Sequence, residues 1–399
     1  MQNIQKFNTG KNNDGDKSRK QTLLSQEVSI VHKERLPYWD LLKLFLIFLV
    51  IWGHCIRGFS TSDYVGSIIY RIIYSFHMPL FMMISGYFSV SSMSMEIVSF
   101  LQKKFWNLIY PCLIWGAILW GVLECLFSFH YGSDSFSISG ILKDYYWLSN
   151  FWFLKSCFIC YVLAYIGLKS AKRRWYILPT TLIVSQFISP FFVSFMYPCF
   201  IIGIVLRKRP VFFNWIIKHR LTLSVLFLLM LILWDEQVWV KSHGIPSDIL
   251  DTGIDTWLEI LYARIFRLSI GIVGSIAVVG LFSSFFRLNT KSIIVQTCCD
   301  WGRYTLYIYI LQAVLLEQGL SHFICLDNIG TTMYELIVTP LISFILLYFF
   351  IYISKVMSYS PLLEKWLWGK TGLVIKYRRT AEKGHRRRAC GCRQRVSAG

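Results

Sequence analysis

Asp40, Lys43 and His54 stand in one apolar run, from Tyr38-Trp39-Asp40-Leu41-Leu42-Lys43 to Trp52-Gly53-His54. An ionisable group that met lipid there would cost several kcal/mol, so each is a functional candidate. Along an α-helix, Asp40 and His54 point within about 40° of each other and Lys43 and His54 within about 20°. His54 then lies roughly 16 Å further along the axis than Lys43. Such a stripe must face protein or water. The next apolar run carries His77 two residues before Pro79. The proline would open the backbone ladder beside the imidazole and bend the helix. A buried histidine has an ordinary role, hydrogen bonding to a neighbouring helix. With a polar stripe below one and a kink beside the other, chemistry is equally well supported. A neutral imidazole is what a general base or an acyl-accepting nucleophile requires.

Other polar groups collect near the same ends of later apolar runs: Lys155 after Trp152, then Arg264 and Arg267, then Glu317. Tyr145, Tyr146, Trp147 and Trp152 read as an interfacial aromatic belt in preference to a sugar-stacking platform. Lys103 and Lys104, ahead of Tyr110-Pro111, are ordinary basic loop residues unless a phosphorylated ligand enters there. Cys157 and Cys160 form a C-x-x-C inside an apolar run, and Cys390 and Cys392 a C-x-C in the tail. Neither pair has the further ligands that zinc needs, so no metal is expected, and a disulfide framework is not expected either.

The elements that must carry these groups follow from composition. The 399 residues are 55% hydrophobic and only 16% charged, against about 25% charged in a soluble domain. The chain reads as an all-α, polytopic membrane bundle of about ten helices. Spans are expected at roughly 39–57, 67–88, 105–128, 152–168, 175–189, 191–206, 219–235, 262–284, 304–322 and 334–356, the fifth and sixth as a tight hairpin at Ser189-Pro190. No loop is long enough to fold a separate soluble enzyme domain. Most of the 41 Lys and Arg residues fall in the two tails and in alternate loops, which places both termini in the cytoplasm. A polar basic tail (1–34) and a basic C-terminal tail (370–399) flank the membrane region (35–369). The formal charge of +19 would point to nucleic acid in a soluble protein. Here it reads as positive-inside loops and a tail lying on anionic lipid, with no nucleic-acid partner.

Specific blocks of this sequence resemble the membrane-bound acyltransferase 3 family, most closely its fucose 4-O-acetylase-like branch. They are Arg35-x4-Asp40-x2-Lys43-x10-His54 and, almost letter for letter, Phe76-His77-Met78-Pro79-Leu80-Phe81-Met82-Met83-Ile84-Ser85-Gly86-Tyr87-Phe88. Lys104 with Tyr110-Pro111, Phe151-Trp152-Phe153-Leu154, Phe200-Ile201-Ile202-Gly203 and Thr305-Leu306-Tyr307-Ile308-Tyr309 follow in family order. The resemblance implies transfer of an acyl group, usually acetyl from cytoplasmic acetyl-CoA, to a hydroxyl of a cell-surface glycan or its lipid-linked precursor. It implies a multi-pass protein of the bacterial inner membrane that uses acetyl-CoA as a substrate and holds no permanent cofactor.

On that resemblance His54 is the leading catalytic residue, as base or transient acyl carrier. His77 assists, and Asp40 and Lys43 belong to the same motif. Ser85 and Gly86 shape the acyl-CoA passage, and Lys103 and Lys104 neutralise its phosphates. Trp152, Lys155, Arg264 and Arg267 are expected at the acceptor mouth. Gln312 stands where many members carry histidine, and Asn107 where a further basic residue is common. The alternative from another class is a glycan or lipid transporter without chemistry. A membrane glycosyltransferase would want acids early in the first outer loop, which offers only Asp63.

Overall fold

The computed structural model describes residues 37–60, 64–131, 151–171, 176–188, 190–242, 254–289, 292–327 and 329–369. Among them every regular element is helical. The main helices are α1 (Pro37–Gly58), α2 (Ile68–Ser89), α3 (Ile97–Lys104), α4 (Tyr110–Tyr131), α5 (Trp152–Ala171), α6 (Ile177–Gln186), α7 (Val193–Lys208) and α8 (Pro210–Lys218). There follow α9 (Arg220–Ile232), α10 (Glu236–Ser242), α11 (Ile254–Asn289), α12 (Ile293–Trp301), α13 (Thr305–Leu311), α14 (Thr339–Tyr359) and α15 (Pro361–Trp368). The tails at 1–34 and 370–399, Asp63 and the aromatic group at 145–147 lie outside the described residues.

Among the described residues, five helices are long and apolar enough to cross a membrane, or six if α8 and α9, bent by 72°, count as one span. The other expected segments are helical but differ in form. The stretch 175–189 holds only the ten residues of α6. It pairs with α7 as a hairpin through Thr181 Oγ1 and Tyr197 OH at 2.9 Å and a bond from Gln186 Nε2 to Ser194 O at 3.1 Å. The stretch 304–322 is broken into α13, a π-helical turn over Gln312–Glu317 and a 3-10 turn over Leu320–His322. On α14 a row of large apolar side chains, Leu341, Phe344, Ile345 and Tyr348, is exposed, the face a lipid-contacting helix presents.

Local chemistry sets the helix ends. Asp40 in the first turn of α1 and Arg57 in its last oppose the helix dipole. Ser67 caps α2 by accepting from Tyr70 N at 3.1 Å, satisfying one of the free N–H groups of the first turn. Pro79 lies inside α2 and has no N–H for the carbonyl of Ser75. That carbonyl is covered by α11, where a Cβ on Gly271 would lie 3.2 Å from Ser75 O, while Ser275 Oγ donates to Phe76 O at 3.3 Å.

Helices α2 and α7 meet backbone to backbone. A Cβ on Gly86 would lie 1.9 Å from Phe200 O, and one on Gly203 would lie 1.9 Å from Met83 O. Small residues permit such approach, and packing rather than hydrophobicity holds membrane helices together. Gly86→Ala is therefore expected to destabilise the bundle by about 2 kcal/mol through overpacking, seen as a lowered melting temperature in detergent. An unchanged melting temperature would mean that the two helices part without cost.

Candidate active site

His54 sits near the C-terminal end of α1, which the segment preceding and opening α14 clamps in place. Trp52 Nε1 donates to Glu335 O (3.2 Å) and to Thr339 Oγ1 (3.0 Å). Tyr334 OH donates to Cys55 O and Ile56 O, both at 2.9 Å, and Leu326 N to Phe59 O at 2.7 Å. These bonds fix the helix end without using the imidazole.

Glu317 faces that imidazole. His54 Nε2 lies 3.4 Å from Glu317 Oε1, and Gln312 Nε2 donates to the same carboxylate oxygen at 3.0 Å. Gln312 and Glu317 are five residues apart, a spacing that an α-helix sets on different faces. The π-helical turn over Gln312–Glu317 brings i and i+5 together. The carboxylate favours the tautomer in which His54 Nε2 carries the proton, which leaves Nδ1 as the basic nitrogen.

Tyr74 joins the two histidines. Its ring is edge-on to His77 at 4.7 Å and to His54 at 6.4 Å between centroids. It rests on Gly53, where a Cβ would lie 2.6 Å from Tyr74 Cε2. His77 is buried, and its Nδ1 bonds Ile73 O at 2.6 Å. That bond makes Nδ1 the donor and leaves Nε2 with the lone pair. The two imidazoles of the sequence motifs thus share one end of the bundle, with a tyrosine bridging them.

The other motif residues lie at the opposite end. Lys43 Nζ pairs with Asp40 Oδ1 at 2.7 Å, and eleven residues of helix, about 16 Å, part Lys43 from His54. That separation, the one expected from the helix rise, puts the Asp40–Lys43 pair at the far end of α1 from the imidazole. Gly86 lies in the crossing with α7, against Phe200 O. Ser85 Oγ lies 3.8 Å from Cys157 Sγ, and Tyr161 OH donates to Ser85 O at 3.1 Å. Cys157 and Cys160 are both buried. Lys104, buried where Lys103 is exposed, lies 3.4 Å from the centroid of Tyr161. Burial, with the like charge of Lys103 adding to it, pulls its ammonium down to about 7.

Residues 36–360 match the model of the acyltransferase 3 family, described as an acyltransferase domain. The chain belongs to this family. It is similar to the nodulation protein NolL of Mesorhizobium japonicum, 27% identical over 182 residues that cover 43% of this chain and 47% of the relative. It is 25% identical over 183 residues to the nodulation protein NolL of Sinorhizobium fredii, covering 43% of this chain and 48% of that protein. The chain thus spans about half the length of the curated relatives it matches. No solved structure matches it.

In this acyltransferase domain the four residues expected at the acceptor mouth gather around the Phe191–Phe192 turn between α6 and α7. Lys155 lies over the Phe191 ring at 5.3 Å, Arg267 over Phe192 at 5.7 Å, and Trp152 packs edge-on against Phe192 at 5.1 Å. Arg264 lies over Phe195 at 5.6 Å, as does Arg267 at 4.7 Å. From the sequence Glu317 reads only as one of the polar groups near the same helix ends, not as the partner of His54. Sequence reasoning missed Tyr74 altogether. A helical reading hides the Gln312–Glu317 pair, and nothing in the spacing of Tyr74 sets it apart from its aromatic neighbours.

Proposed function

We propose that the protein is a membrane O-acyltransferase that moves an acetyl group from acetyl-CoA to a hydroxyl of a cell-surface polysaccharide or its lipid-linked precursor. The fucose 4-O-acetylase-like branch is the part of the family that its motifs favour. Membership of the acyltransferase 3 family supports the reaction class. The observation that carries the reading is the His54–Glu317–Gln312 constellation, a base oriented by a carboxylate that is itself held by an amide.

In the reaction His54 takes the proton of the acceptor hydroxyl as its oxygen attacks the thioester carbonyl. The C–O bond forms, the C–S bond breaks, and the imidazolium returns the proton to the leaving thiolate. Glu317 stabilises the transient imidazolium. His77 presents Nε2 to the same end. The thioester approaches past Ser85 and Cys157, with its phosphates held at the Lys103–Lys104 end. Ser85 is eight residues from His77, about 12 Å along the helix, a distance suited to an extended thioester arm.

Mass spectrometry of surface glycans from cells with and without the protein tests the function. A gain of one acetyl mass per modified site is expected only where the protein is present. Glycan that relocates with unchanged mass would identify a transporter instead.

Lys104 gives a pH prediction. Its ordinary value of 10.5 falls to about 7, so the free protein carries this charge below pH 7 and loses it above. Donor affinity is expected to weaken as pH rises through 7, and Lys104→Met to be about tenfold weaker at pH 6 and nearly flat with pH. The sign for stability is the reverse. Between pH 7 and 10.5 the unfolded chain binds more protons at this site, so wild-type stability rises with pH there, and the methionine variant melts higher. Calorimetric titration with acetyl-CoA and thermal unfolding read the two effects; a donor affinity equal to wild type at pH 6 would remove Lys104 from the donor site.

A further inference from the structure

Among the described residues, Arg264 and Arg267 are cations without anions. The polar contacts of their guanidinium groups there are a bond from Arg264 Nη2 to Ser194 Oγ at 3.4 Å and one from Arg267 Nη1 to Ser242 Oγ at 3.5 Å. Glu259, which lies on the same helix, pairs with Lys241 at 2.8 Å. Among the described residues no carboxylate comes within ion-pair distance of either arginine. Both lie on an apolar helix, where an uncompensated charge is costly and marks function.

Aromatic rings cover the faces of Arg267, with Phe195 at 4.7 Å, Trp239 at 5.3 Å and Phe192 at 5.7 Å from the guanidinium carbon. Stacking occupies the flat faces of a guanidinium and leaves its in-plane N–H donors, apart from the one that reaches Ser242, to a ligand. Such a fork of donors is shaped for an oxyanion with two acceptor oxygens. The chain beside it is strained. Phe191 (φ 60°, ψ 27°) and Phe192 (φ 55°, ψ 29°) are consecutive residues in the left-handed region, which bulky side chains avoid. Strain of this kind persists where the surroundings over-determine it, commonly at functional sites. Here it turns the two rings toward Lys155 and Arg267.

The cluster also adjoins the histidines. Trp239 is edge-on to Tyr74 at 6.1 Å, and Tyr74 touches both imidazoles. We infer that Arg264 and Arg267, with Trp239 and Phe192, bind an oxyanion carried by the acceptor sugar, a carboxylate or a phosphate. This rests on the acyl-transfer reading only in calling that sugar the acceptor. Holding the acid here leaves a hydroxyl of the same or the neighbouring sugar to reach His54.

Saturation-transfer NMR on the full chain in lipid nanodiscs tests it with three probes: methyl glucuronide, glucose 1-phosphate and the neutral methyl glucoside. At least one charged probe is expected to bind about tenfold tighter than the glucoside or more, as charge-assisted bonds allow, with the preference falling in high salt. Which charged probe wins separates a uronic acid from a phosphate-linked sugar. Arg267→Gln is expected to erase the preference and Arg267→Lys to keep part of it. Arg264→Gln should weaken the preference at least threefold, and it decides the matter if Arg267→Gln fails to fold. Equal binding of charged and neutral probes, or a preference that survives the folded variants, overturns the inference. Glycan acetylation with no charge preference would sink this inference alone. Charge preference with no acetylation would sink the acyl-transfer reading alone.

Discussion

Replacing His54 by alanine is expected to lower acyl transfer about 10³-fold, or about 4 kcal/mol at the transition state, while the protein inserts and folds normally. The reason for intact folding is local. The bonds that seat the end of α1 are made by Trp52 and by the carbonyls of Cys55, Ile56 and Phe59, none of which the substitution touches. The carboxylate of Glu317 keeps its bond from Gln312, so it is not stranded. Release of free thiol from acetyl-CoA in nanodiscs supplied with acceptor glycan measures the effect, with melting temperature as the control. A folded His54→Ala protein that retained a tenth or more of wild-type turnover would remove His54 from proton transfer.

Glu317→Gln is expected to reduce kcat by roughly 10²-fold, because an electrostatic partner that stabilises the imidazolium is lost while volume is kept. Glu317 acts through His54, so the signature is specific. The KM for acetyl-CoA should stay constant, Glu317→Asp should recover part of the rate, and the double variant with His54→Ala should be no slower than His54→Ala alone. Losses that simply add would show that Glu317 and His54 work apart, and the constellation would then carry no mechanism.

Much of the site was readable from the chain. His54 and His77 stood out because an imidazole in an apolar run has few tolerable surroundings, and counting the helix rise along each run set both toward the same end. Lys155, Arg264 and Arg267 were readable for the same reason. Asp40 and Lys43 share a helix face with His54 and pair with each other at 2.7 Å, about 16 Å along the helix from the imidazole. Gly86 shows a limit of reading the chain alone. A glycine in a motif marks a place where something must come close, and only the fold shows that the backbone of α7 does so.

The sequence by itself determined a helical membrane chain, its apolar segments, the histidines at one end and the basic residues near the other. Those follow from burial and repeat length, which are properties of each segment alone. Only the tertiary structure decided that Glu317 faces His54, that Tyr74 bridges the histidines, that Lys104 turns inward while Lys103 stays out, and that two arginines meet no acid among the described residues. Each of these depends on how one helix is rotated and broken against another. The π-helical turn at Gln312–Glu317 makes the case most directly, since a departure of one residue per turn, invisible to periodicity, is what carries the carboxylate onto the imidazole.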